Sequence, residues 1–475
     1  MITECRAPER VLLAEARPEP RAGKDTIVTE SKPPATGTAD PGTLKRSVAA
    51  SAMGNATEWF DYGVYAATAT YLADAFFPGD LGTLGVMLGF AVSFVLRPLG
   101  GMVWGPLGDR IGRKAVLATT ILLMAAATGA IGILPTHGQV GVLAPILLIT
   151  LRVVQGFSTG GEYGGAATYM AECAGDRKRG FYGSFLEFGT LGGFVGGSAV
   201  VLACQLVLGT DAMHDWGWRL PFLIALPLGA IGWYLRSRLA ESPIFEEVAA
   251  SKAKRPPTGL REVVVTYRRE TLTLMGLVVA LNVVNYTLLT YQPTYLQNTV
   301  GVAESTTTAM MLIGQLIMML AIPFFGALSD RVGRRPMWLV SLLGLIVFAL
   351  PMYWLMGQGI VWAVVGFVVL GLLYLPQLAT ISSTFPAIFP THVRYAGFAF
   401  GYNVSTALFG GTAPLVNEAA IEGTGWSLFP AAYMMGASVI GLIAWFFLRE
   451  TAGTSLRGTE VPDAATDANL VVAKA

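Results

Sequence analysis

The chain has 475 residues, of which 53% are hydrophobic and only 13% charged, with a net charge of +1. Soluble domains carry about 25% charged residues, so a soluble multidomain protein of this length is excluded, and the net charge points to no nucleic-acid partner. Cys5, Cys173 and Cys204 are scattered and odd in number, which implies no disulfide framework.

Residues 1–46 are polar, rich in Pro, Arg, Glu and Thr, and lack the apolar core of a signal peptide. They read as a disordered tail. A spanning helix needs roughly 20 mostly apolar residues. Six such segments lie in 47–239, at 48–76, 84–107, 115–135, 141–172, 180–209 and 219–239. A polar stretch, 240–270, divides them from six more in 271–450, at 271–297, 305–328, 337–357, 360–389, 396–419 and 426–448. Residues 451–475 read as a second disordered tail. The expected fold is therefore an all-α membrane protein of twelve transmembrane helices.

Charge placement supports that count. Of the 32 Lys and Arg, all but Arg97, Arg152 and Arg219 fall in the N-terminal tail, the stretch from Arg236 to Arg269, the loops after helices 2, 4, 8 and 10, or the C-terminal segment from Arg449 onward. The positive-inside rule then places both termini and the central stretch in the cytoplasm. The halves also repeat. Gly105-Pro-Leu-Gly-Asp-Arg-Ile-Gly-Arg-Lys114 comes after helix 2, and Gly326-Ala-Leu-Ser-Asp-Arg-Val-Gly-Arg-Arg335 after helix 8, at an offset of 221 residues. Parallel repeats of six helices predict two pseudo-symmetric bundles around a central site. Gly105, Asp109, Arg110, Gly112 and Arg113, with Asp330, Arg331, Gly333 and Arg334, are the expected loops of a conformational gate.

The duplicated loop resembles the signature loop of the major facilitator superfamily. Gly54-Asn-Ala-Thr-Glu-Trp-Phe-Asp-Tyr-Gly-Val-Tyr65 is similar to helix 1 of its metabolite:proton symporter family. Arg97-Pro-Leu-Gly-Gly101, Gln155-Gly-Phe-Ser-Thr-Gly-Gly-Glu-Tyr163, Asp176-Arg-Lys-Arg-Gly-Phe181 and Trp216-Gly-Trp-Arg-Leu-Pro-Phe222 agree. The stretches 282–296, 389–395 and 402–405 resemble the proline and glycine betaine transporters of that family. The resemblance covers roughly 46–452 and implies the major facilitator fold. It also implies proton-coupled uptake of zwitterionic osmolytes such as proline, glycine betaine or ectoine, across a bacterial plasma membrane. The alternative is symport of organic acids such as 2-oxoglutarate, citrate or shikimate; a non-transporting membrane sensor fits less well, because the buried charges are retained. Gly458-Thr-Glu-Val-Pro462 breaks any heptad pattern, so no C-terminal coiled coil is expected.

Charges at membrane depth cost about 2.5–3.5 kcal/mol on insertion scales and need a partner or a cavity. Glu58 and Asp61 are i and i+3 and share a face of helix 1, continued by Tyr65. Two carboxylates so close resist being ionised together. With Arg152 they form the expected proton-coupling group, joined by Glu162 in a Gly-rich break. Arg152 is expected to alternate between a carboxylate of the protein and that of the substrate, with Arg97 and Gln155 nearby. A quaternary ammonium has no N–H donors and suits aromatic faces, for which Trp59, Tyr62, Tyr65, Tyr286 and Tyr291 are candidates. Asn282, Asn285 and Asn403 supply uncharged polar contacts from the second half. His137, His214 and His392 fall in loops or helix ends and read as surface residues. No metal-ligand spacing, nucleotide-binding loop or nucleophile–base pair is present, so neither a cofactor nor an enzyme activity is expected and energy must come from an ion gradient.

Overall fold

A computed structural model describes residues 41–79, 81–111, 113–160, 162–237, 261–390 and 393–456. These residues form helices and no strand. There are twelve rods in chain order. They are α1 (Pro41–Ala67 then Ala69–Phe76), α2 (Gly82–Val95 then Arg97–Ile111), α3 (Arg113–Ile131), α4 (Leu143–Thr159 then Glu162–Cys173), α5 (Arg179–Leu208) and α6 (Arg219–Ser237). The second set is α7 (Arg268–Asn285, then turns to Thr299), α8 (Glu304–Val332), α9 (Arg334–Met356), α10 (Ile360–Leu378 then Ile381–Thr384), α11 (Arg394–Ser405, Thr406–Gly410 and Ala413–Thr424) and α12 (Phe429–Trp445). Seven of the described helices are long and apolar enough to cross a membrane, and α3, α6 and α12 contain shorter apolar runs.

The packing repeats between halves. α1 packs on α5 and α6, as α7 packs on α11 and α12. α2 packs on α4, α3 on α4 and α3 on α6; correspondingly, α8 packs on α10, α9 on α10 and α9 on α12. Between halves, α5 lies along α8 and α2 along α11. Glycines set the closest approaches. A Cβ on Gly156 would overlap the Ser93 carbonyl, and one on Gly160 the Arg97 carbonyl, so α2 and α4 meet backbone to backbone.

Several rods are interrupted, with local causes. Thr68, at the α1 break, returns its hydroxyl to Val64 O at 2.8 Å. Thr380, at the α10 break, bonds Pro376 O at 2.8 Å. Pro98 lacks an N–H where α2 restarts. In α7 a π-helical turn, Tyr286–Tyr291, precedes Gln292–Thr294 with Pro293, and a second, Tyr295–Thr299, comes after.

The halves touch at both ends. At the end carrying the chain termini, Asp330 accepts from the backbone N–H of Gly180 (2.8 Å) and Phe181 (2.9 Å) at the start of α5, and from Arg334 at 2.7 Å. Gly333, at φ +101°, turns the chain so that Glu450 accepts from the N–H of Arg334 and Arg335 at 2.9 and 3.0 Å. Arg179 and Arg394 donate to Thr454 O (3.1 Å) and Leu456 O (2.7 Å). At the opposite end Thr70 bonds Gln297 at 3.0 Å, and Asn298 bonds Thr83 at 3.1 Å. There His214 bridges Asp74 (2.9 Å) and Glu304 (3.2 Å), a between-halves contact rather than a plain surface position.

Three expected boundaries move. α1 begins at Pro41, inside the stretch read as a tail to 46. Helix resumes at Arg261, inside the central stretch 240–270. Residues 451–456, read as the start of a tail, are held by Arg179 and Arg394.

Candidate functional site

The first half pairs both mid-depth acids of α1 with an arginine from another rod. Arg97, where α2 restarts, lies 3.7 Å from Glu58 and donates to the Tyr62 hydroxyl. Arg152 on α4 donates to Asp61 at 2.9 Å. Gln155, one helical turn on, donates to the other Asp61 oxygen at 3.0 Å and to Thr128 at 2.7 Å. The Arg152 guanidinium lies 3.5 Å from the Tyr65 ring centroid, a cation–π contact. Tyr65 in turn is fixed by its hydroxyl to Val86 O at 2.7 Å.

Burial makes these pairs obligatory. Arg152 is 0% exposed, Asp61 2%, Arg97 3% and Glu58 6%. Removing one partner from such a pair strands the other charge in low dielectric. The guanidiniums are nonetheless not used up. A guanidinium has five N–H donors, and Nε and Nη2 of Arg152 and Nε of Arg97 are buried without a hydrogen-bond partner. Arg152 thus spends Nη1 on Asp61 and keeps a second edge, the geometry that takes a carboxylate through two parallel bonds.

The second half contributes no arginine at this depth among the described residues. α7 supplies amides. Asn282 donates to Thr406 on α11 at 2.8 Å, and Asn285 accepts from Tyr374 on α10 at 3.0 Å. Tyr286 faces the first half. Its ring stacks on Trp59 at 6.2 Å with planes 24° apart, and meets Phe94 at 5.0 Å and Phe90 at 5.8 Å edge-on. A second aromatic bridge joins Tyr163 of α4 to Tyr402 of α11, stacked at 4.8 Å and 17°.

The structure therefore brings together Glu58, Trp59, Asp61, Tyr62, Tyr65, Arg97, Arg152, Gln155 and Tyr286 in one cluster at mid-depth. Asn282 and Asn285 are buried alongside, with their amides turned to α11 and α10. Tyr291 is turned away, donating to Glu418 at 2.6 Å. Asn403 is only half-buried and donates to Ala399 O of its own helix at 2.9 Å. Of the gate residues, Asp330, Gly333 and Arg334 lie in the network at the terminal end, and Arg331 is exposed. Gly112 and the side chains of Asp109, Arg110, Arg113 and Glu162 lie outside the described residues, as do His392 and whatever surrounds Gly105.

Sequence reasoning missed Phe90, Phe94, Tyr163 and Glu418 as members of buried networks, and noted Glu187 only as an acid toward the cytoplasmic end of its helix, with no role. Phenylalanines leave no chemical signal. Glu187 and Glu418 do: each is an acid inside an apolar rod, the same signal that marked Glu58 and Asp61. No cluster of three metal-binding side chains occurs among the described residues.

Comparisons with known proteins agree with this architecture. The profile of the Major Facilitator Superfamily matches residues 52–414. The chain is 40% identical over 435 residues to the glycine betaine/proline/ectoine/pipecolic acid transporter OusA of Dickeya dadantii, covering 88% of this chain and 86% of that one. It is equally similar, 40% over 435 residues with the same coverage, to the proline/betaine transporter of Escherichia coli K12. Among solved structures, a D-xylose–proton symporter aligns with a TM-score of 0.68 at 17% identity, over 86% of this chain and 99% of that one. A partially occluded, inward-open form of the E. coli xylose transporter XylE gives 0.67 at 16%, over 87% and 100%. At such identities these structures speak for the fold alone.

Proposed function

The chain belongs to the Major Facilitator Superfamily, and we propose that it is a secondary transporter, not an enzyme, driving uptake of zwitterionic osmolytes such as proline, glycine betaine or ectoine by proton symport. The carrying observation is the spare edge of Arg152, set in a cluster whose aromatic rings come from both halves. A zwitterion needs a seat for each charge. The unpartnered donors of Arg152, with Arg97 nearby, suit the carboxylate. The faces of Trp59, Tyr62 and Tyr286 suit an ammonium without N–H donors. The names of the similar transporters give the substrate class.

Asp61 provides coupling to the site. When it is ionised it holds Arg152; when it takes a proton, Arg152 is released to the substrate carboxylate. Lys and Arg gather at the end where α1 begins, so that end is cytoplasmic, and the similar transporters are bacterial, which favours a bacterial plasma membrane as the bilayer. The contacts of Asp330 with the start of α5 are then the inner latch, which must break for release.

The test is uptake of labelled glycine betaine and proline into proteoliposomes, with and without an inward proton gradient. The expected result is gradient-driven uptake, abolished by a protonophore and unaffected by excess 2-oxoglutarate, citrate or shikimate. Transport of one of those acids in place of the osmolytes would overturn the substrate class.

A further inference from the structure

Glu187 is a buried acid to which the mid-depth cluster gives no role. It lies within α5, 2% exposed, and unlike Glu58 and Asp61 it has no ion pair to Lys or Arg among the described residues. Its neighbours are hydroxyls. Thr190 donates to Oε2 at 2.9 Å, and the Tyr163 hydroxyl meets Oε1. The titratable groups around it are Tyr163 on α4, Glu58 on α1, Tyr374 on α10 and Tyr402 on α11. None is a cation, so an ionised Glu187 would carry an uncompensated charge at membrane depth, where such a charge costs several kcal/mol.

The direction of the hydrogen bonds can be worked out atom by atom. The Trp59 indole N–H only donates, and it reaches Asn55 Oδ1 at 3.1 Å. That fixes the amide, whose Nδ2 donates to Leu186 O at 2.8 Å and to Thr190 Oγ1 at 2.6 Å. Thr190, accepting from Asn55, turns its own O–H to Glu187 Oε2. Oε2 is therefore held as an acceptor. With Oε2 accepting from Thr190, the arrangement favours a proton on Oε1, facing Tyr163. Protonation there reverses the Tyr163 hydroxyl from donor to acceptor, and Tyr163 stacks on Tyr402 of the opposite half.

The chain of hydrogen bonds starts at Trp59, which stacks on Tyr286 of the opposite half, in the cluster proposed to take the substrate. We propose that Glu187 carries a proton in the transport cycle and is addressed from the substrate cleft through Trp59, Asn55 and Thr190. This rests on the symport reading and adds a proton site distinct from Asp61. Asn55 and Thr190 are positioning residues: they bias which oxygen holds the proton and do not carry it.

Two measurements on the purified full chain test this. In proteoliposomes, E187Q is expected to keep counterflow exchange of labelled for unlabelled glycine betaine near the wild-type rate. Its accumulation under an inward proton gradient should fall to that of de-energised vesicles. T190V should retain accumulation but with a displaced pH profile, which a purely structural role for Thr190 would not give. Gradient-driven accumulation by E187Q at the wild-type level would overturn the proposal, as would loss of exchange along with accumulation in a variant that remains monodisperse, which would make Glu187 a binding residue. Infrared titration of the solubilised protein is independent of transport. A protonated-carboxyl band present in the wild type and missing from E187Q is expected; identical bands in both would overturn the proposal. If the wild type moved no osmolyte yet showed the band difference, the substrate reading alone would fall.

Discussion

The two halves share one packing scheme and differ in the chemistry they bury. The first half sets two arginines against two carboxylates, Arg97 with Glu58 and Arg152 with Asp61. The second fills the equivalent depth with neutral groups, Asn282 against Thr406 and Asn285 against Tyr374. Its buried arginines, Arg334 and Arg394, sit at the terminal end, where they bind Asp330 and the Leu456 carbonyl. Repetition of a fold thus does not repeat its chemistry. The buried ion pairs at this depth lie in the first half, while the second presents rings and amides there and keeps its buried acid, Glu418, with Tyr291.

The comparison is broken hardest at Arg152. In R152Q the buried Asp61 loses its partner, a loss of about 3–5 kcal/mol for a pair of this kind, and folded protein should fall sharply in size-exclusion chromatography. R152Q/D61N, with neither charge, should recover folding without uptake. Uptake by that double variant would show that charge in the first half is dispensable. Next in size, G156A must push apart two backbones at the Ser93 carbonyl. In the second half, G371A on α10 meets the flexible side chain of Met318, its sulfur at 2.6 Å. Overpacking runs to about 1–3 kcal/mol, so the melting temperature should drop more for G156A than for G371A; equal drops would erase that contrast between the halves. Y286L removes a ring from the neutral half. It should raise the half-saturation concentration for glycine betaine more than that for proline, by an amount corresponding to about 0.5–2 kcal/mol. The smallest effect is expected for N282L, which gives up one interhelical hydrogen bond averaging about 0.6 kcal/mol, read as a slight shift in melting with uptake retained.

The twelve rods were legible because length, apolar runs and the alternation of Lys and Arg are properties of sequence. The shared face of Glu58 and Asp61 was legible for the same reason, since three residues make nearly one turn. Their partners were not. Arg152 is 91 residues from Asp61, and no local pattern encodes which rods will lie side by side. Tyr291 was a candidate on its residue type alone, as an aromatic face near Pro293, and residue type does not tell which way a ring points; its hydroxyl goes to Glu418. Asn403 failed differently: its amide folded back on the carbonyl four residues earlier, a local choice that competes with contacts between helices. The packed residues 451–456 are held by arginine–carbonyl bonds, which need no hydrophobic periodicity and leave none to read.

The bare contact between α2 and α4 has one more consequence. Arg97 offers its carbonyl to Gly160, and Gly156, one turn beyond Arg152, lies on Ser93. At these two glycines main chain meets main chain with no rotamer to switch, and Trp104 of α2 ties to the Phe157 carbonyl of α4 at 2.8 Å. The distance between the anchor points of the two positive charges is then set by main chain. That spacing is one no side-chain rotamer can alter, a fixed rule laid between two cations.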